Sequence, residues 1–169
     1  MKSLLFALGL ALCCAIQAEW EEVSTSRKQD MGRWVSSVIA CDSPEHLGQI
    51  SEMTAFVADL SSPQEDVFII SALIPMPEGC KNITHQLRKG EDGKYHTSAD
   101  RTDVTVESVK VWGEFVMSTI KFKDLKATTL HGRTVALDPE MLEKFKEECI
   151  KLGYKDDEIV VLKPTVRCE

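Results

Sequence analysis

The sequence predicts an all-β fold, an antiparallel sandwich or a closed barrel, followed by a single helix. Three observations carry this. Between about residues 32 and 134 the chain reads as eight short strand-like runs, separated by turn signals and with no helical pattern between them. After Asp138 the apolar period changes from two to that of a helix. The seventh run is apolar on both faces, with Val116, Ser118 and Ile120 on one side and Phe115 and Met117 on the other. A strand of that kind is buried twice over, which a barrel interior on one side and the lone helix on the other would explain.

The elements follow in order. Trp34 to Cys41 is the first strand, entered through Gly32-Arg33. Met53 to Leu60 is the second, ended by Ser61-Ser62-Pro63, and Val67 to Ile74 the third, ended by Pro75 and Pro77. Cys80 to Lys89 is the fourth, and Gly90-Glu91-Asp92-Gly93 after it is a strong hairpin turn. Lys94 to Ser98, Asp103 to Val111, Glu114 to Phe122 and Leu125 to Thr134 complete the eight. Asp138 is a helix N-cap with Pro139 in the first turn. Leu142, Phe145, Cys149 and Leu152 then share one helical face, and Gly153 stops the helix. Glu158 to Leu162 is apolar enough for one more short strand. No internal repeat, low-complexity stretch or linker interrupts the chain.

Residues 1–18 read as a signal peptide. Lys2 precedes the apolar run LLFALGLALCCAI, and Ala18 is a small residue at the expected cleavage site. The run is too short for a comfortable membrane span, so the reading is a secreted domain over residues 19–169, without membrane insertion. That length makes one domain with a core of its own. The formal charge of −7 disfavours nucleic acid and anionic lipid as partners. Cys13 and Cys14 leave with the leader, so Cys41, Cys80, Cys149 and Cys168 remain. In an oxidising compartment these allow up to two disulfides, in any of three pairings. There is no CxxC pair, and His46, His85, His96 and His131 lack metal-ligand spacing, so neither metal nor cofactor is expected.

The order of these features resembles the lipocalin family. The resemblance is carried by Gly32-Arg33-Trp34 at the first strand, by a cysteine after the third, and by Leu130-His131-Gly132-Arg133 ending the eighth. It continues in LEKFKEECIKLGYKDDEIVVLKPTVRC, and covers nearly all of residues 19–169. Within the family the chain looks most like the alpha-1-microglobulin, prostaglandin D synthase and rodent urinary and odorant-binding branches. It departs from the family where Thr-Asp-Tyr is usual before the seventh strand, having Lys110-Val111-Trp112-Gly113-Glu114 instead. The resemblance implies an eight-stranded antiparallel up-and-down β-barrel, a calyx, with one C-terminal α-helix packed outside and a short final strand. It implies that Trp34 plugs the barrel base under Arg133, with Gly32 turning the chain into the strand. It also implies a disulfide between Cys80 and Cys168. Cys149, on the apolar helix face, reads as a buried free thiol.

Candidate ligand contacts follow from strand alternation together with the pattern of the urinary branch. They are Met53, Ala55 and Val57 on the second strand, Ile70 and Ala72 on the third, and His85 and Leu87 on the fourth. Val104 and Val106 follow on the sixth, Ser118 and Ile120 on the seventh, and Ala127 and His131 on the eighth. The set is mostly apolar with a few polar groups, as a small-molecule pocket requires. Such side chains also simply fill some barrels, but the small Ala55, Ala72, Ser118 and Ala127 argue for leftover space. Asn82-Ile83-Thr84 is an N-glycosylation sequon, with Asn82 facing outward if Ile83 faces in.

Two functions remain, with a filled barrel whose loops bind a partner as a weaker third. The first is transport of a small hydrophobic molecule of the retinoid, fatty acid, odorant or pheromone type, with a cell-surface receptor as a further partner. The second is radical or haem scavenging through Cys41, which stands at the end of the first strand where family barrels open. The microglobulin branch has a reactive cysteine nearby, though not in register. An exposed Cys41 would serve redox chemistry or a disulfide partner. Enzymes are disfavoured, because GxSxG, HExxH and a glycine-rich phosphate loop are all absent. The isomerase branch has a nucleophilic cysteine where this chain has Thr54, and a threonine hydroxyl does not replace an activated thiolate.

Overall fold

The structure, a computed structural model, describes Glu21–Glu22, residues 31–97 and residues 104–168. The expected signal peptide lies outside the described residues, as do Ser98 and Asp103 at two expected strand ends. The strands are β1 (Glu21–Glu22), β2 (Gly32–Cys41), β3 (Phe56–Gln64), β4 (Val67–Met76), β5 (Gly79–Lys89), β6 (Tyr95–Thr97), β7 (Val104–Trp112), β8 (Phe115–Phe122), β9 (Leu125–Gly132) and β10 (Ile159–Val161). The helices are α1 (Pro44–Ser51) and α2 (Pro139–Lys151).

Strands β2 to β9 pair antiparallel with their chain neighbours, and β9 returns to β2, so the eight close into an up-and-down barrel. Closure leaves these strands without a free edge. Glu21 and Glu22 of β1 pair with Val111 and Lys110 of β7, and β10 pairs with β2 over Val38, Ile39 and Ala40. Strand β2 therefore has two successive partners on one side: β3 along Gly32–Ser36 and β10 beyond it. A β-bulge between Ser36 and Val38 marks the change.

Helix α2 forms as the sequence predicts. The Asp138 side chain accepts a hydrogen bond from the Met141 backbone N–H at 3.1 Å, and Gly153 follows the helix at φ +94°, where a β-carbon is strained. The buried face is Met141, Phe145 and Cys149, with Leu142 and Leu152 partly buried beside it. It packs on Val38 and Ala40 of β2, Met117 of β8 and Leu130 of β9. These are the outward positions of strands whose inward positions face the barrel, which is why β8 is apolar on both sides. Glu148 of α2 accepts from Lys110 Nζ of β7 at 3.0 Å, tying the helix to the barrel wall. Burial and these strand contacts set the helix position, since a thirteen-residue helix is marginal alone.

The structure corrects several boundaries. Strand β3 begins at Phe56, not Met53, and runs through Pro63 to Gln64 before turning at Glu65-Asp66. Strand β4 continues through Pro75 to Met76, because proline near a strand end removes only one ladder hydrogen bond. Helix α1 was not read from sequence. It is eight residues long and buries none of its own residues fully, so Leu47 and Ile50 are too few to show a helical period. The Cys80–Cys168 disulfide is present and joins the start of β5 to the chain end across 88 residues.

Candidate functional site

One end of the barrel is closed by Trp34. Gly32 sits at φ +90°, so the chain enters β2 in a conformation that favours glycine. Two residues on, the Trp34 ring is 5% exposed, and the Arg133 guanidinium carbon stands 3.5 Å from its centre. Arg133 Nη1 donates to the carbonyls of Arg33 at 2.8 Å and Met31 at 3.3 Å. The cation is thus held between an aromatic face and backbone oxygens from the segment that opens β2.

Above this plug lies a cavity of about 480 Å³. Aromatic and aliphatic side chains form most of it: Phe56, Ala58 and Leu60 from β3, Phe68, Ile70, Ala72 and Ile74 from β4, and Ile83 and Leu87 from β5. Tyr95, Val104, Val106, Val109, Val116 and Ile120 come from β6, β7 and β8. Phe68 and Tyr95 meet edge to face at 4.8 Å, which fixes that wall. Among the described lining residues there is one carboxylate, Glu107, and Lys94 Nζ stands 3.6 Å from it. A volume of this size with this lining suits a small apolar molecule.

Besides His85, Ser108 and the Tyr95 hydroxyl, which is buried without a hydrogen-bond partner among the described residues, the polar part of the lining is a chain of three side chains from three neighbouring strands. Ser36 Oγ of β2 lies 2.9 Å from His131 Nδ1 of β9, and Ser118 Oγ of β8 lies 2.8 Å from His131 Nε2. Both ring nitrogens are engaged. Burial lowers the His131 pKa from 6.5 to about 4, so the ring is neutral at neutral pH. Thr129 pairs directly with Ser118 across β8 and β9 and also lines the cavity. The apolar chamber therefore has one hydroxyl-rich wall, made of Ser36, Ser118, Thr129 and His131.

Nine of the sequence-derived candidates line the cavity: Ile70, Ala72, His85, Leu87, Val104, Val106, Ser118, Ile120 and His131. Four do not. Val57 is on the opposite face of β3, because Phe56, Ala58 and Leu60 point inward. Both faces of MTAFVADL are apolar, so alternation did not select between them. Ala55 precedes β3 and lines a separate, smaller cavity with Leu137 and Leu162, while Met53 packs beneath α1. Ala127 pairs with Cys41, beyond the end of the cavity.

Cys41 is not exposed. It is 1% accessible, packed with Ile39 and Leu162, and partly buried Leu47, Ile50 and Met53 cover the same cluster. Burial pushes its thiol up from the ordinary value, and Cys149 is pushed to about 12 for the same reason. Helix α1 is the element that covers Cys41, and it was missing from the sequence reading. Ser36, Phe68, Tyr95 and Thr129 were also missed as cavity residues. The bulge after Ser36 shifts the face of β2 beyond it, so that Trp34 and Ser36 face the cavity while Val38 and Ala40 pack under α2, and a bulge is invisible to a simple two-residue period.

A closed barrel with a plugged base, an apolar chamber and one polar wall defines a class of small-molecule-binding proteins. Comparison with known proteins makes the assignment specific. Residues 31–166 match the model of the lipocalin / cytosolic fatty-acid binding protein family, and the chain belongs to that family. The extracellular fatty acid-binding protein of Gallus gallus is 25% identical over 99% of this chain and 97% of its own length. The female-specific lacrimal gland protein of Mesocricetus auratus is 25% identical over 100% of this chain and 99% of its own. Among solved structures, the one described as the siderocalin Ex-FABP, functioning through dual ligand specificities, superposes with a TM-score of 0.73. It shares 21% identity over 83% of this chain and 98% of that one. Aphrodisin, a sex pheromone from female hamster, superposes with a TM-score of 0.68 at 19% identity, over 82% and 98%.

Proposed function

We propose that the protein is a secreted carrier of a small hydrophobic molecule, of the retinoid, fatty acid, odorant or pheromone type. The observation that carries this is the cavity of about 480 Å³, apolar on most of its wall and closed below by Trp34. A ligand that buries about 250 Å² of apolar surface there gains roughly 6 kcal/mol from desolvation, before ordering costs. Extracellular relatives and the leader-like residues 1–18 support secretion. Asn82 is exposed on β5 and its neighbour Ile83 points into the cavity, which supports glycan attachment at Asn82 in the secretory route.

The redox reading finds no support in the position of Cys41, whose sulfur is enclosed and whose thiol is hard to ionise. The same holds for isomerase chemistry at Thr54. Its hydroxyl is buried without a hydrogen-bond partner among the described residues and lies outside the cavity lining.

Native mass spectrometry of protein secreted from eukaryotic cells tests the carrier reading, followed by solvent extraction. An extra mass that moves into organic solvent supports transport. A chain carrying only glycan, which also fails to take up a fluorescent hydrophobic probe, overturns it. Removal of the glycan mass in Asn82→Gln checks the sequon.

A further inference from the structure

We propose that the cavity selects uncharged ligands bearing a hydrogen-bond acceptor, such as a ketone, aldehyde, ester or alcohol, and that the Ser118 hydroxyl is the donor that holds them. The proposal rests on the carrier reading and narrows it to a ligand class. Its first support is a proton count along Ser36–His131–Ser118. A neutral imidazole has one N–H and one bare nitrogen. One serine therefore donates to the ring, and the other accepts from it and keeps its own O–H proton uncommitted.

Burial decides which serine is which. Both serines line the cavity, but Ser36 is 0% exposed, whereas Ser118 is partly exposed. If Nδ1 carried the proton, Ser36 would accept from it and its own O–H would be stranded in a fully enclosed site. With the proton on Nε2, Ser36 donates to Nδ1 at 2.9 Å and Ser118 accepts from Nε2 at 2.8 Å. That arrangement strands nothing and leaves the Ser118 O–H free to point into the chamber. A buried donor without a partner is costly, so the second tautomer is favoured. An apolar ligand leaves the Ser118 proton unpaired, and a ligand oxygen at that wall satisfies it.

The second support is charge. The described lining residues include no lysine or arginine, and their one carboxylate, Glu107, is already paired with Lys94, whose Nζ stands 3.6 Å from it. A ligand carboxylate could accept from Ser118, but its charge would be left uncompensated in an apolar chamber. A neutral acceptor meets the same donor without that cost. Thr129, directly across from Ser118, adds a second hydroxyl to the wall and widens the range of acceptor positions.

The test measures displacement of a fluorescent hydrophobic probe at neutral pH by three compounds of equal chain length: a medium-chain methyl ketone, the n-alkane and the n-alkanoic acid. The ketone should bind about tenfold more tightly than the alkane, and more tightly than the acid. Ser118→Ala should weaken the preference for ketone over alkane. Thr129→Val should keep most of that preference. Equal binding of ketone and alkane by the unaltered protein overturns the proposal, with the carrier reading intact. So does an acid that binds as tightly as the ketone, or a preference that is lost in Thr129→Val and kept in Ser118→Ala. If neither the probe nor any of the three compounds binds, it is the carrier reading that fails.

Discussion

Arg133 lies over Trp34, its guanidinium carbon 3.5 Å from the ring centre, while its Nη1 holds the carbonyls of Arg33 and Met31. The two residues are about a hundred positions apart, and their contact joins the chain just after β9 to the start of β2, where the barrel closes on itself. One side chain thus fills the base and another clamps the segment that leads into it.

Removing the clamp should weaken closure without emptying the core. Arg133→Ala loses the stacking and the hydrogen bonds to backbone oxygens, a loss of about 2 kcal/mol. The melting temperature should fall by roughly 4–8 °C. Trp34→Ala should cost more, about 3–5 kcal/mol, because it leaves a cavity. Thermal denaturation followed by circular dichroism ranks the two, and an Arg133→Ala protein as stable as the parent would deny the clamp a structural role.

The Cys80–Cys168 bridge spans 88 residues, so it should restrict the unfolded chain strongly. The double substitution of both cysteines by serine is expected to lower unfolding free energy by about 4 kcal/mol. Urea titration reads this directly as a fall in the midpoint.

His131 should make stability depend on pH. Its pKa is 6.5 when unfolded and about 4 when folded, so below pH 6.5 the unfolded chain binds the proton first. Stability is therefore intact above pH 6.5 and falls progressively as the pH drops toward about 4. The loss through this one group is about 3 kcal/mol. The lowered carboxyl pKa of Glu148 adds its own loss on the acid side, as protonation weakens its pairing with Lys151 and Lys110. Comparing urea midpoints of the parent and His131→Gln at each pH isolates the histidine. Parallel curves over that window would contradict a buried neutral ring.

Cys41 and Cys149 should resist a thiol reagent in the native state and react fully in denaturant. Both are 1% exposed or less, and burial raises both pKa values. Rapid native labelling of Cys41, absent in Cys41→Ser, would restore the redox reading.

Particular elements show where sequence reasoning reached and where it stopped. The eight strands, the Asp138 cap and α2 were legible because alternation, turn residues and capping are local properties. The disulfide, Trp34 and Arg133 came through resemblance to a family pattern. The face of β3 was not legible, since Met53, Ala55 and Val57 are as apolar as Phe56, Ala58 and Leu60. Helix α1 was missed because its two apolar contacts, Leu47 and Ile50, gain their meaning from Cys41 and Ile39 on another element. The role of Cys41, which the sequence left open between reactive, inert and partner-linked, is accordingly narrowed by its burial.

By itself, the sequence determined an acidic all-β domain with a terminal helix and a candidate wall of mostly apolar residues. Those features follow from near-neighbour physics: the two-residue pleat, the helical period and the chemistry of turns. Only the tertiary structure decided which face of each strand meets the cavity and which cysteine is covered. It alone brought Ser36, Ser118 and His131 into one hydrogen-bonded chain. These are long-range relations, set by strand register, by the bulge in β2 and by closure of β9 onto β2, and no local pattern encodes the distance between residues that meet across a barrel seam.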